Sequence, residues 1–128
     1  VGSYLANKKR TVLYNLAKSS NMWERRIAIV STMHFILQGD CVDALALSEV
    51  LLKDKEDLIN KAVGWMLREV GKNCGEETLE GFLRKHKDNI PRVTLRYAIE
   101  RMSEDKRKYF ITQKRSRNVW LSLKNADN

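Results

Sequence analysis

Helix-breaking residues are scarce in this chain: Pro91 is the only proline, and 128 residues hold six glycines. That scarcity, with strand-type alternation nearly absent, points to a helical protein. No apolar run approaches the length of a membrane span and no signal-peptide core stands at the N-terminus, so no membrane partner is expected. Cysteine is limited to Cys41 and Cys74, which have neither metal-ligand nor disulfide-framework spacing; they read as reduced thiols, and the expected location is cytoplasmic. The two histidines, His34 and His86, lie far apart in sequence with no cysteine or carboxylate at ligand spacing, so neither a metal nor a cofactor is expected. His34 reads as a satisfied, half-buried side chain. No Ser-His-Asp or Cys-His arrangement and no glycine-rich phosphate loop is present.

What is abundant is apolar residues and cations. The apolar share of 43% excludes disorder and suffices for the core of one domain. The net charge is +8, unevenly spread. Residues 1–38 carry six basic and one acidic side chain, residues 39–60 carry two and six, and residues 61–128 carry sixteen and nine. Nucleic acid is the default partner of so basic a surface, and acidic lipid is the rival. The acidic band fits a convex or edge surface.

Apolar spacing of three and four residues predicts seven helices. The first covers about 3–18, with Leu5, Val12, Leu13 and Leu16 inward. The second covers about 22–37, with Ile27, Val30, Met33, His34 and Leu37 on one face and Gly39 ending it. The third runs over about 42–53, with Leu45, Leu47, Val50, Leu51 and Leu52. The fourth covers about 58–72, the fifth follows Gly75, and Pro91 opens the sixth, where a proline is tolerated. Ser103 opens a short seventh. The basic tail, 112–128 with Trp120, reads either as a frayed end or as an arm on a partner.

A period runs through these helices. Arg26-Ile27-Ala28-Ile29, Lys61-Ala62-Val63-Gly64 and Arg96-Tyr97-Ala98-Ile99 place a cation at the same phase, 35 residues apart each time. Such a period marks stacked helix pairs, each burying its apolar face on a neighbour. The expected fold is all-α: a right-handed α-solenoid of HEAT-like antiparallel pairs over residues 1–111. Its second helices would line one side with Arg26, Lys61 and Arg96, and Arg25, Arg68, Arg92 and Arg101 would widen the strip. The alternative for Arg26 and Arg96 is a salt bridge to Glu24, Glu69 or Glu100. Val1-Gly2-Ser3-Tyr4-Leu5 begins in mid-pattern with no polar cap, so the stack is expected to continue before it, through upstream residues or another chain.

Three segments carry a resemblance: Met22-Trp23-Glu24-Arg25-Arg26-Ile27-Ala28-Ile29, Asn60-Lys61-Ala62-Val63-Gly64-Trp65-Met66-Leu67-Arg68-Glu69, and Pro91-Arg92-Val93-Thr94-Leu95-Arg96-Tyr97-Ala98-Ile99-Glu100. Over about residues 1–110 the chain resembles the AlkD-like DNA alkylation repair family, bacterial glycosylases built from HEAT-like repeats. The resemblance implies a partner, double-stranded DNA with alkylated bases, and excision of N3- or N7-alkylated purines by hydrolysis of the N-glycosidic bond. It implies that the base is not drawn into a pocket, unlike the usual base-flipping glycosylase. Such a purine is cationic and already a good leaving group, so the protein must hold the distorted backbone and stabilise an oxocarbenium-like sugar. By motif, Trp65 matches the tryptophan that lies against the backbone at the lesion, where its ring face attracts a cation. Arg26 matches a phosphate-holding arginine, and Arg68, three residues after Trp65, looks like a second. The family's catalytic aspartate lies in an upstream Trp-x-x-x-Asp element that this sequence does not contain, so no catalytic residue is assigned here and the DNA-binding set is Arg26, Trp65, Arg68, Arg25, Lys61 and Arg96. Trp23 reads as packing between repeats, and Trp65 has a core tryptophan as its alternative. A monomer is expected. The competing function is a non-catalytic α-solenoid scaffold that binds nucleic acid or protein.

Overall fold

The structure, a computed structural model, describes residues 2–112, with side chains from Arg10 onward. The expected inward Leu5 and the tail beyond Thr112, with Trp120, lie outside the described residues and side chains. Among the described residues every regular element is a helix. They are α1 (Gly2–Ala17), α2 (Met22–Ser31), α3 (Met33–Ile36), α4 (Val42–Leu51), α5 (Asp57–Cys74), α6 (Glu76–Lys85) and α7 (Arg92–Ala98), with residues 104–112 helical after them.

Local chemistry sets most boundaries. The Asn21 side chain accepts the Trp23 amide at 2.8 Å and so caps α2. Pro91, with φ −61° and ψ 147°, stands at the N-cap of α7. Gly75 alone separates α5 from α6 at φ +104°, a backbone conformation that side chains resist. The helix expected over 22–37 is broken at Thr32. Its buried hydroxyl donates back to the Ile29 carbonyl at 2.6 Å, and its amide also takes that oxygen at 3.2 Å. This back-bonding tightens the turn and separates α2 from α3.

α5 is the centre of the molecule and packs against α2, α4, α6 and α7. Ile59, Val63, Met66 and Val70 recur on one of its faces and are buried against Ile29, Ile36, Leu47, Leu83, Leu95 and Ile99. Each fully buried side chain of this size contributes roughly 1.5–3 kcal/mol relative to exposure. Two contacts fix how α7 crosses α5. The Thr94 hydroxyl donates to the Asn60 carbonyl at 2.8 Å, and a Cβ on Gly64 would meet Tyr97 Cβ at 2.6 Å and the Thr94 carbonyl oxygen at 2.8 Å. Farther along α5, Arg68 pairs with Glu100. The sequence of partners, 60 with 94, 64 with 97 and 68 with 100, means that the two helices run in the same direction. The missing side chain at Gly64 is what lets α7 approach α5 this closely.

Several expectations need correction. Cys41 and Cys74 are not free thiols: they form a disulfide that ties the start of α4 to the end of α5, across 33 residues of sequence. Spacing could not reveal this, because helix packing brings the two ends together. Val12, Ile27, Leu37 and Val50 are exposed rather than inward. Each sits at an edge of its helical stripe, where one residue of phase moves a side chain about 100° round the axis. His34 is exposed, whereas His86 is buried against Phe82. Trp23, expected to pack between repeats, is 58% exposed.

An ionic cluster joins the early helices. Arg10 pairs with Asp40, and through Nε with buried Asp43 at 2.8 Å, while its guanidinium lies 4.7 Å from the Phe35 ring centre. The Tyr14 hydroxyl donates to Asp43 at 2.9 Å. Burial first, and then this bond to a carboxylate, raise the Tyr14 pKa above 10.0.

Candidate nucleic-acid interface

The face of α5 opposite its buried stripe carries Lys61, Trp65, Arg68 and Lys72, at steps of four, three and four. Residues so spaced share one side of a helix. Along this side lies an open groove of about 520 Å³. α5 supplies its floor and one wall through Leu58, Lys61, Ala62, Trp65 and Arg68. Arg26 reaches in from α2, and Tyr97 and Glu100 close the side towards α7. Helices α2, α5 and α7 bring these residues together because they pack side by side, α2 on α5 and α5 on α7.

Trp65 packs partly against the core and partly lines the groove, so it is not an enclosed core tryptophan. A ring held from behind in this way offers its remaining surface with little rotamer freedom to lose on binding. The three cations differ in how they are held. The Arg26 side chain makes no hydrogen bond or ion pair among the described residues. Lys61 is exposed and bonds Asp57 one turn away at 3.0 Å; that hydrogen bond, then the Asp57 charge, raise its pKa above 10.5. Arg68 is tethered most firmly: it pairs with Glu100, and its Nε stands 3.9 Å from Glu69. Its buried Nε has no hydrogen-bond acceptor.

Arg26, Lys61, Trp65 and Arg68 therefore share one groove, whereas Arg25 and Arg96 lie outside it. Arg25 bonds Asp54 through Nε at 2.7 Å and donates to the Ser19 carbonyl at 3.1 Å, which joins α2 to the turn before α5. Arg96 is exposed and unpaired among the described residues. Neither it nor Arg26 forms the salt bridges considered as alternatives; Arg68 pairs with two of those glutamates instead, Glu69 and Glu100. The 35-residue phase slips by one position in α7, because the crossing at Gly64 presents Tyr97 rather than Arg96. Tyr97, Leu58, Ala62 and Glu100 are groove residues that sequence reasoning missed. The helical stripe through Trp65 signals Leu58 and Ala62. Nothing local signals Tyr97 or Glu100, whose positions depend on how α7 crosses.

The arrangement offers guanidinium and ammonium donors around an indole and a phenol, which suits a phosphodiester and its sugar. Among the described residues no group of three or more His, Cys, Asp or Glu could hold a metal ion, and no helix is long and apolar enough to cross a membrane. Comparison with known families matches residues 1–102 to one whose description is "DNA alkylation repair enzyme". No curated protein and no solved structure matches the chain.

Proposed function

The chain belongs to the DNA alkylation repair enzyme family, and from that premise we propose that it is the DNA-holding part of a glycosylase for N3- and N7-alkylated purines. In this reading the helix pairs form an α-solenoid, and duplex DNA lies along the groove on α5. Arg26 and Arg68 hold phosphates, Lys61 adds a third cation, and the Trp65 face rests against the backbone at the lesion. One observation carries the proposal: Arg26, Trp65 and Arg68 line a single groove although they come from two helices.

The chemistry asks little of the protein beyond this. An alkylated purine leaves as a neutral base, and the developing charge on the sugar is met by π-density and by a carboxylate. Glu100 is the groove's one lining carboxylate, and it is neutralised by Arg68. In this reading the residues of the groove hold the distorted backbone. Arg25 serves the fold in this account, and Arg96 offers at most a peripheral contact.

The test is binding to duplexes with and without a single N7-methylguanine, measured by fluorescence anisotropy over a range of salt. Arg26→Ala and Arg68→Ala should each flatten the slope of log K against log salt by roughly one unit. Trp65→Ala should weaken binding to lesion DNA more than to undamaged DNA. Unchanged slopes in both arginine variants would remove DNA from this groove. Equal binding of the two duplexes, unaffected by Trp65→Ala, would favour a non-catalytic scaffold.

A further inference from the structure

The groove does not end at Arg68. The same side chain also lines a second hollow of about 270 Å³, between α5, α6 and the turn after α7. Lys72 and Arg101 stand on its walls, and neither side chain has a hydrogen bond or ion pair among the described residues. Its one carboxylate, Glu76, is taken by Lys106 at 3.2 Å, which also reaches Glu80 at 3.3 Å. Gly71, Leu79, Ala98 and Met102 supply apolar surface between the cations.

We propose that this hollow is a second phosphodiester subsite, formed by Arg68, Lys72 and Arg101, through which one DNA strand continues after leaving the Trp65 groove. It rests on the reading of that groove as a DNA site. The argument is one of charge and continuity. Three cations face a hollow whose only acidic group is already neutralised, so an anion entering it displaces no internal partner of Lys72 or Arg101. The apolar surface suits the deoxyribose that accompanies each phosphate. Lys61 and Lys72 are eleven residues apart on one face of α5, about 16 Å along the axis. A strand rises about 3.4 Å per step along the duplex axis but also winds round it, so a straight span of that length joins phosphates only about two or three steps apart. The two hollows thus follow one strand over a few consecutive phosphates, with Arg68 at the junction.

The experiment places a single uncharged methylphosphonate at successive positions along one strand of a lesion duplex. Binding is measured for the wild type, Arg26→Ala, and a Lys72→Ala/Arg101→Ala double variant. Both side chains of the double variant are exposed, and circular dichroism checks that it is folded. A Lys53→Ala/Lys55→Ala variant removes the same charge from the turn before α5, outside both hollows. The expected result is a methylphosphonate position that weakens wild-type binding about three- to tenfold yet has no effect on the Lys72/Arg101 variant. That position should lie on the same strand, a few nucleotides from the one coupled to Arg26. The Lys53/Lys55 variant should still respond at both positions. If coupling to Arg26 is found and no position couples to Lys72 and Arg101, the second subsite is overturned and the DNA reading stands. If the wild type binds no duplex, both fall.

Discussion

Replacing Glu100 with glutamine should tighten DNA binding, and the size of the effect follows from how Arg68 is held. The Arg68 and Glu100 side chains are 22% and 61% exposed, so water screens their attraction. Such pairs contribute about 0.2–1 kcal/mol. A phosphate that takes Arg68 must first displace Glu100 and then lie near its carboxylate. For two like charges about 7 Å apart in water the repulsion is a further ~0.6 kcal/mol. Glu100→Gln removes both penalties, so affinity at low salt should rise about four- to fifteenfold. In an Arg68→Ala background only the repulsion remains, and the same substitution should give about a threefold gain. Both gains should shrink towards 0.5 M salt as screening grows. Anisotropy titrations of the four proteins of this cycle measure the difference. Equal tightening in the two backgrounds would show that Glu100 acts only as bulk negative charge and does not compete for Arg68. No tightening in either would place the phosphate elsewhere.

Gly64→Ala should destabilise the fold by about 1–3 kcal/mol, because the new methyl meets the Thr94 carbonyl and Tyr97 Cβ, the first of which is backbone; calorimetric melting measures this. Cys41→Ser/Cys74→Ser, or reduction of the wild type, should cost up to about 4 kcal/mol from the entropy of the loop that the disulfide closes. Urea titration with and without reductant tests it, and identical midpoints would show that the bond is absent or without effect. Tyr14 has a folded pKa raised above 10.0, so its contribution to stability is complete below pH 10 and declines as pH climbs from there through the folded value. Tyr14→Phe should remove that part of the alkaline decline, which a comparison of urea midpoints at pH 8 and pH 11 would detect.

The helical class was legible in the sequence because it rests on short-range causes. Few residues break helices, and buried positions recur at steps of three and four, as Ile59, Val63, Met66 and Val70 do. The α5 stripe of Lys61, Trp65, Arg68 and Lys72 was legible for the same reason, since spacing alone puts them on one face. Residues near a stripe's edge were not, because small rotations decide whether Ile27 or Leu37 meets the core or water. The cationic phase at 35 residues located two groove residues and missed on the third, where Gly64 lets α7 settle with Tyr97 on the groove and Arg96 outside it.

The sequence by itself determined a helical chain of the DNA alkylation repair family, with a basic surface and an indole beside an arginine on one helix face. Only the tertiary structure decided that Arg26 joins that face while its neighbour Arg25 is consumed by Asp54, that Cys41 meets Cys74, and that Glu100 holds Arg68. Those outcomes depend on contacts between residues about 29 to 33 positions apart. Composition and local periodicity carry no information on such pairs. They are fixed by the packing of α2, α4 and α7 around α5, where the shape of buried side chains sets the angle and register of each crossing.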